Sequence, residues 1–448
     1  MEYYNFLHFT INTFTDKEWG YGDEDPAIFN PNDFDADAII ETLKASGSKG
    51  VILTCKHHDG FCLWPTATTD HSIRHSRYEN GKADIVREIA KAADHAGLKF
   101  GVYVSPWDRN NRYYGQPQYL YIYRQQLQEL LTEYGSIFEV WHDGANGGDG
   151  YYGGARENRV IDKLHYYDWE NTWAIERKLQ PNAVLFSDVG PDIRWVGNEK
   201  GVAGETCWAT YTPRAQNGGP ASPGDVREKE SEVGTRNGRF WMPAECDVSI
   251  RPGWFWHPSE NAKVKPPRDL FAPYCESVGR GGSLLLNVPP DRRGLIYESD
   301  SQSLREFGQL LRSTFSHNLA AEARIKASNV RGQSRTYRPE NLLDVNRRTY
   351  WSTDDSVTTP ELIIELPRDA KVAFVRVREN IELGQRIEEF AVDVWSGGDW
   401  KLFGKGTSIG SCRILRAEVP ISTIRVRLRI TKSPVCPALS ELALFSAA

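Results

Sequence analysis

The chain is short of the features that mark several large classes of protein. No apolar run reaches the ~18 to 20 residues that a helix needs to cross a bilayer. There is no surplus of basic residues either: 54 Lys and Arg stand against 60 Asp and Glu, a formal charge of −6 with His neutral. A chain without a basic footprint cannot release the counterions of a polyanion, which excludes nucleic acid and anionic membrane surfaces as partners. Cysteine is sparse. The seven, at positions 55, 62, 207, 246, 275, 412 and 436, form no CxxC pair, and their odd number argues for buried thiols over a disulfide framework. HExxH, HxH and the phosphate-cradling GxxxxGK are missing, so nucleotide-dependent chemistry is not expected. No repeat of solenoid period and no low-complexity tract is found.

What is present is length and aromatic rings. A chain of 448 residues exceeds what one hydrophobic core usually organises, so two domains are expected. Aromatics make up 12%, including 14 Trp, and flat apolar rings suit the apolar faces of sugars. Short apolar strands alternate with amphipathic helices through the first two thirds, the signature of a parallel sheet wrapped by helices. Candidate strands are Phe6 to Asn12 (its start read as Tyr4), Gly50 to Lys56, Phe100 to Pro106, Ile137 to Asp143, Val184 to Asp188, Phe240 to Glu245 and Ser283 to Val288. Helices are predicted over Asp33 to Ala45 and over Ala83 to Ala96, the latter stopped by Gly97. Seven or eight such repeats predict an α/β fold, a (β/α)8-type TIM barrel, over residues 1–316. Past Ser316 the period changes to two, clearest in Ile424-Arg-Val-Arg-Leu-Arg-Ile430, which predicts an all-β sandwich over 317–448. The Gly- and Pro-rich stretch from Thr212 to Gly238 is long enough for a lid or a mobile insert.

Barrel enzymes carry their catalytic side chains at the C-terminal ends of strands. Here four consecutive strands place polar residues there: His8 on the first, Lys56-His-His-Asp59 on the second, Ser105-Pro-Trp-Asp108 on the third and Trp141-His-Asp143 on the fourth. One such residue is commonly structural; four in a row predict a polar pocket. His8, His57, His58, Asp59 and Asp143 are also the types a zinc or iron hydrolase would use. Neighbouring strand residues point to opposite faces, however, so His57 and His58 could share an ion only if the strand had already broken into a turn.

Five segments resemble, in order, the α-L-fucosidases of glycoside hydrolase family 29: His8 to Trp19, Lys56 to Trp64 (KHHDGFCLW), Trp141 to Asn146 (WHDGAN), Gly190 to Glu199 (GPDIRWVGNE) and Leu284 to Val288. The resemblance runs from residue 6 to 290, and the form of the Glu199 motif is similar to the α-1,3/1,4-specific subfamily. It implies a retaining, exo-acting enzyme without a cofactor or metal. Such chemistry needs a carboxylate nucleophile and a second carboxyl that donates and then accepts a proton, about 5 to 5.5 Å away. Asp143, closing an apolar strand before Gly144, suits the first role. The resemblance makes Glu199 the acid/base; Glu205, Asp188 and Asp192 lie nearby, and Glu205 is the main alternative. The family commonly has Phe where His142 stands.

Fucose lacks the 6-hydroxyl, so its pocket should pair polar groups with an apolar wall. His8, His57, His58 and Glu18 suit the polar side, and Trp19, Trp64, Tyr103, Trp141 and the Trp254 to Trp256 pair suit the wall. The resemblance adds contacts from His8, His57, His58 and Trp64, and places Arg194 near the acid/base. Tyr337 to Asp344 with Thr349 to Ser352 resembles a discoidin or galactose-binding-like module, though the Asp-Gly-Asp that often accompanies calcium is replaced by Asp344-Val-Asn-Arg-Arg-Thr349. That domain is expected either to bind sugar or only to buttress the barrel. The expected partners are fucosylated oligosaccharides or glycoconjugates. The compartment stays open between periplasmic or secreted, with a leader removed, and cytoplasmic. Two other functions remain: a non-catalytic sugar binder on a decayed hydrolase barrel, and a metal-dependent barrel hydrolase.

Overall fold

The computed structural model describes residues 1–447. Eight parallel strands close into a barrel: β1 (Tyr3–Leu7), β2 (Gly50–Lys56), β3 (Lys99–Val104), β4 (Ile137–Trp141), β5 (Val184–Ser187), β6 (Ile193–Trp195), β7 (Ala244–Ser249) and β8 (Ser283–Asn287), with β8 paired to β1. Strands covered on both faces read as continuous apolar runs, and β2, Gly-Val-Ile-Leu-Thr-Cys-Lys, is buried at every position. Six longer helices wrap them: α1 (Ala36–Ala45), α2 (Ile85–Ala96), α3 (Pro117–Glu133), α4 (Trp169–Leu179), α5 (Pro267–Ser277) and α6 (Glu298–Phe315). Local chemistry sets their ends. Asp35 and Asp84 accept from Ala38 N and Arg87 N at 2.9 and 3.0 Å, capping α1 and α2, and Gly97 ends α2 at φ +74°.

Three expectations need correction. The first strand ends at Leu7, and Ile11–Thr15 is a short helix capped by Thr10. Strand β6, only three residues long, carries too little pattern to be read from the sequence, and no helix separates it from β5: residues 188–192 bring the chain straight back. The predicted strand Phe240 to Glu245 is two elements. Phe240–Trp241 pairs antiparallel with Thr210–Tyr211, and β7 begins at Ala244, because Pro243 has no N–H to continue a ladder. The Thr212 to Gly238 stretch contains a helix, Glu228–Val233, and is tied to the barrel where Lys163 Nζ donates to Gly224 O (2.8 Å) and Asn146 Nδ2 to Pro223 O (3.1 Å).

The second domain is antiparallel: β9 (Arg324–Ala327), β10 (Trp351–Ser352), β11 (Glu361–Glu379), β12 (Glu389–Ser396), β13 (Asp399–Gly406), β14 (Arg413–Lys432) and β15 (Ala438–Phe445). The long strands β11 and β14 pair throughout but shift register twice, so each serves two halves of the domain, one with β9, β12 and β13 and the other with β15 and β10. Val426, Leu428 and Ile430 point inward as the alternation predicts. Ile424 is turned out, because the register shift between Thr423 and Arg425 breaks the parity. The domain packs on the barrel through apolar rings, with Phe315 of α6 meeting Phe374 and Phe445 at 5.7 and 5.2 Å. All seven cysteines are free thiols, and only Cys275 is not fully buried.

One buried ion pair joins the loop after β7 to α6: Arg251 donates to both oxygens of Asp300 at 2.7 and 2.8 Å, with neither side chain exposed. Asp300→Ala leaves the guanidinium uncompensated and should cost about 3 to 5 kcal/mol in urea unfolding. A cost below about 1 kcal/mol would show that the pair contributes little.

Candidate active site

The interior of the barrel is filled by Tyr4, Phe6, Ile52, Tyr103, Trp141, Phe186 and Leu285, which leave one cavity of about 220 Å³ above them at the C-terminal ends of the strands. Trp141 lies flat on Phe186, ring centres 4.2 Å apart, and its Nε1 donates to Glu245 Oε1 at 2.7 Å, so the cavity floor is a locked stack of rings.

His8, Trp19, His57, His58, Tyr103, Trp141, Asp143, Glu199 and Trp254 all line this cavity. His57 and His58 do so together because β2 ends at Lys56, so both fall in the turn. Hydrogen bonds fix the tautomers. Ser105 Oγ donates to Trp107 O, so it accepts from His58 Nδ1 at 2.7 Å; Asn287 donates its amide to Ser249 Oγ and Trp254 O, so its oxygen accepts from His8 Nδ1 at 2.8 Å. The Nε2 atoms of His8 and His58 are thereby left as acceptors. Burial holds all three imidazoles neutral, pushing His8 down to about 3 and His58 to about 4, and His57 well below the usual value. Among the described residues no three His, Cys, Asp or Glu side chains are grouped to hold a metal ion.

Asp143 is held at both oxygens, by Tyr103 O–H at 2.9 Å and Ala145 N at 2.7 Å, with His58 Nε2 at 3.8 Å. Glu199, at the open side of the cavity, accepts from Trp254 Nε1 at 3.3 Å. Burial raises its proton affinity, the Trp254 bond lowers it, and the charges of Asp143 and Glu18 raise it again. A fixed carboxyl, a second one biased toward its acid form, and neutral imidazoles able to exchange hydrogen bonds with hydroxyls suit acid–base chemistry on an uncharged polyhydroxylated ligand.

Four residues expected at the site are not in the cavity wall. Trp64 is buried beside α3, its Nε1 donating to Glu129 at 2.7 Å. Arg194 points away because its neighbour Trp195 faces the cavity and strand residues alternate; it is fully buried, donates to Ser231 O (2.9 Å) and Met242 O, and lies over Tyr211. Glu18 accepts from Trp254 N, Phe255 N and His257 Nε2 at 2.9, 3.1 and 2.6 Å, so it fixes the loop that carries Trp254. Trp256 is likewise outside the wall, turned toward Tyr297. Of the alternative carboxyls, Glu205 is paired with Arg413 and with Arg280 (3.5 Å), and Asp192 with Arg177, both away from the cavity.

Asp188, weighed only as a neighbouring carboxyl, does line the cavity; it accepts from Gly224 N at 2.7 Å, and burial raises it to about 7. Phe6, Trp195 and Asp247 line it without having been anticipated. Asp247 accepts from Trp195 Nε1 at 2.9 Å, and burial holds it well above the usual carboxylate range. Its signal was the polar set Glu245, Asp247, Ser249 alternating with Cys246 and Val248, which the misplaced strand boundary hid.

A family model described as Alpha-L-fucosidase matches residues 2–314. The chain belongs to the alpha-L-fucosidase family. Alpha-L-fucosidase 1 of Arabidopsis thaliana is 43% identical over 445 residues, which cover 98% of this chain and 84% of the plant protein. Two solved structures cover all of this chain: a glycoside hydrolase 29 family member from an unknown rumen bacterium (39% identical, 76% of that chain, TM-score 0.87), and a glycoside hydrolase 29 fucosidase of Ruminococcus gnavus in complex with fucose (32%, 93%, 0.88). The fucosidase is thus a glycoside hydrolase on a closed parallel barrel with a separate antiparallel β domain.

The neutral histidines tie the stability of the fucosidase to pH. His58 folded titrates near 4 and unfolded near 6.5, so the unfolded chain binds the extra proton between these values and stability falls as pH drops through that window. Between pH 6.5 and 5 the share of His58 is about 1 to 2 kcal/mol. Urea unfolding of His58→Gln at both pH values should show a loss on acidification smaller by about that amount; equal losses would refute the depressed titration.

Proposed function

We propose that the enzyme is a retaining, exo-acting α-L-fucosidase in which Asp143 is the nucleophile and Glu199 the acid/base. Asp143 attacks the anomeric carbon while Glu199 protonates the departing oxygen, giving a fucosyl-enzyme ester. Glu199 then takes a proton from the water that displaces Asp143. The observation that carries this is the pairing of the two carboxyls in one small cavity, Asp143 oriented by Tyr103 and Ala145 and Glu199 biased by burial toward its acid form. A cavity of about 220 Å³ with a closed ring floor suits a single terminal sugar. On this reading the imidazoles of His8, His57 and His58 meet the ring hydroxyls, and the indoles of Trp19, Trp141 and Trp254 form the apolar side. Residues 1–316 would be the catalytic domain and 317–448 a galactose-binding-like module.

Asp143→Ala should abolish turnover while the protein still folds and binds fucose, because the carboxylate acts in the transition state. Azide should restore part of the rate on an aryl fucoside and yield a fucosyl azide of inverted configuration. Unchanged hydrolysis by the variant, or azide product of retained configuration, would overturn the assignment.

The natural substrates we propose are α-1,3/1,4-fucosylated branches of glycans. Support comes from the form of the Gly190 to Glu199 motif, and from the Thr212 to Gly238 segment, whose Gly224 amide is bonded to Asp188 in the cavity wall. A branch sugar resting there would contribute binding energy that positions the scissile bond. The value of kcat/KM for a Lewis-type trisaccharide should then exceed that for the disaccharide lacking the branch galactose. Equal values would remove branch recognition and leave a general fucosidase.

A further inference from the structure

The segment that follows β6 carries Glu199 and runs on to the Thr210–Tyr211 hairpin strand. Its first part is held by the barrel: Val196 N donates to Glu245 O (2.9 Å), Gly201 N to Asp247 O (3.0 Å) and Ala203 N to Glu276 O (3.0 Å). From Glu205 to Ala209 the partners are shared: Trp208 N donates to Val233 O (2.7 Å) and Ala209 O accepts from Met242 N (2.8 Å), while side chains of the β domain meet the backbone of Glu205, Cys207 and Ala209. Arg413 donates to Glu205 O at 2.6 Å and pairs with the Glu205 carboxylate, and Ser408 Oγ accepts from Cys207 N at 2.9 Å. Gln385 brackets the chain with its one amide, donating to Cys207 O and accepting from Ala209 N, each at 2.9 Å. A side-chain amide used in this way imitates a neighbouring strand. Buried backbone groups require partners, and at the buried Cys207 the β domain supplies them to both N–H and C=O.

We propose that the β domain is part of the catalytic apparatus as a clamp on the acid/base segment, with Gln385 as its central positioning residue. The proposal rests on Glu199 being the acid/base. A sugar-binding module merely tethered to an independent catalytic barrel would not supply several hydrogen bonds to the segment that carries the acid/base. Glu199 itself is held by a single 3.3 Å bond to Trp254, so its reach over the leaving oxygen depends on how the segment is fixed at both ends. The barrel holds Val196, Gly201 and Ala203 around Glu199, and the far end of the segment is held jointly, by Gln385, Ser408 and Arg413 and by the barrel bonds of Trp208 N to Val233 O (2.7 Å) and Met242 N to Ala209 O (2.8 Å).

The test compares kcat/KM on two substrates with the full chain: an aryl fucoside whose leaving group needs no protonation, and an alkyl fucoside whose leaving group does. Gln385→Met keeps the shape of the side chain and removes both hydrogen bonds. It should lower the alkyl value about tenfold or more, the scale at which a slightly misplaced catalytic group is felt, and change the aryl value less than about twofold. Ser408→Ala, which removes one bond only, should shift the ratio in the same direction, and it decides the matter if Gln385→Met does not fold. Equal changes on both substrates, or none, would overturn the clamp. Glu199→Ala is the control. If it shows no leaving-group dependence the acid/base assignment itself fails; if it shows that dependence and the Gln385 and Ser408 variants do not, only the clamp fails.

Discussion

Closing eight parallel strands into a barrel leaves little choice about where chemistry can sit. The strands are covered inside and out, so their middles must be apolar or internally paired, and ligand-facing groups collect where the strands stop. In this enzyme the interior is closed by Phe6, Tyr103, Trp141 and Phe186. Three of these rings line the cavity directly, Phe6, Trp141 and Tyr103, and Tyr103 also donates to Asp143. Packing and site are therefore one set of residues. A change that loosened the ring stack would move the acceptor geometry at Asp143 before it opened a void elsewhere.

Burial also decides the charges. Burial in this cavity penalises ions, and the direction differs by residue type: the imidazoles are pushed down, and the carboxyls of Asp188, Asp247 and Glu199 are pushed up. His8 and His58 are pushed well below neutrality, whereas Asp188 rises to about 7 and Asp247 and Glu199 rise as well. The result is a pocket with many hydrogen-bonding atoms and little net charge, matched to an uncharged sugar. The half of the cavity formed after β5, β6 and β7 carries Asp188, Glu199 and Asp247, and the half formed after β1 to β3 carries the imidazoles and Tyr103. Carboxyls biased toward their acid form and neutral imidazoles thus face each other across the cavity.

The β domain joins the barrel by two kinds of contact. Phe315, Phe374 and Phe445 make an apolar seam that excludes water, and the Gln385, Ser408 and Arg413 side chains complete the backbone of a barrel loop. The first kind would serve any two domains. The second reaches the segment bearing Glu199 and also the turn before β8, where Ser411 Oγ donates to Gly281 O at 3.0 Å; the Glu199 segment is a loop whose own sequence, rich in Gly and polar residues, cannot form regular structure by itself.

Much of this was legible in the order of the residues. Apolar strands ending in His8, His57-His58 and Trp141-His-Asp143 disclosed a barrel with a polar mouth, since a strand pattern that stops abruptly at a polar group marks both an element and its functional end. The strict alternation of Val426, Leu428 and Ile430 disclosed the second fold class for the same local reason. Direction across a strand could not be read where the strand was too short to show a period: β6 has three residues, so nothing local told Arg194 from Trp195, and only closure of the barrel turned the indole inward. Trp64 and Glu205 were misleading because their partners, Glu129 and Arg413, lie 65 and 208 residues away. Local sequence determined which residues are strand, turn and cap, because those preferences act over a few bonds. Which side chains share a cavity was decided by the tertiary structure, because that depends on packing between elements distant in the chain.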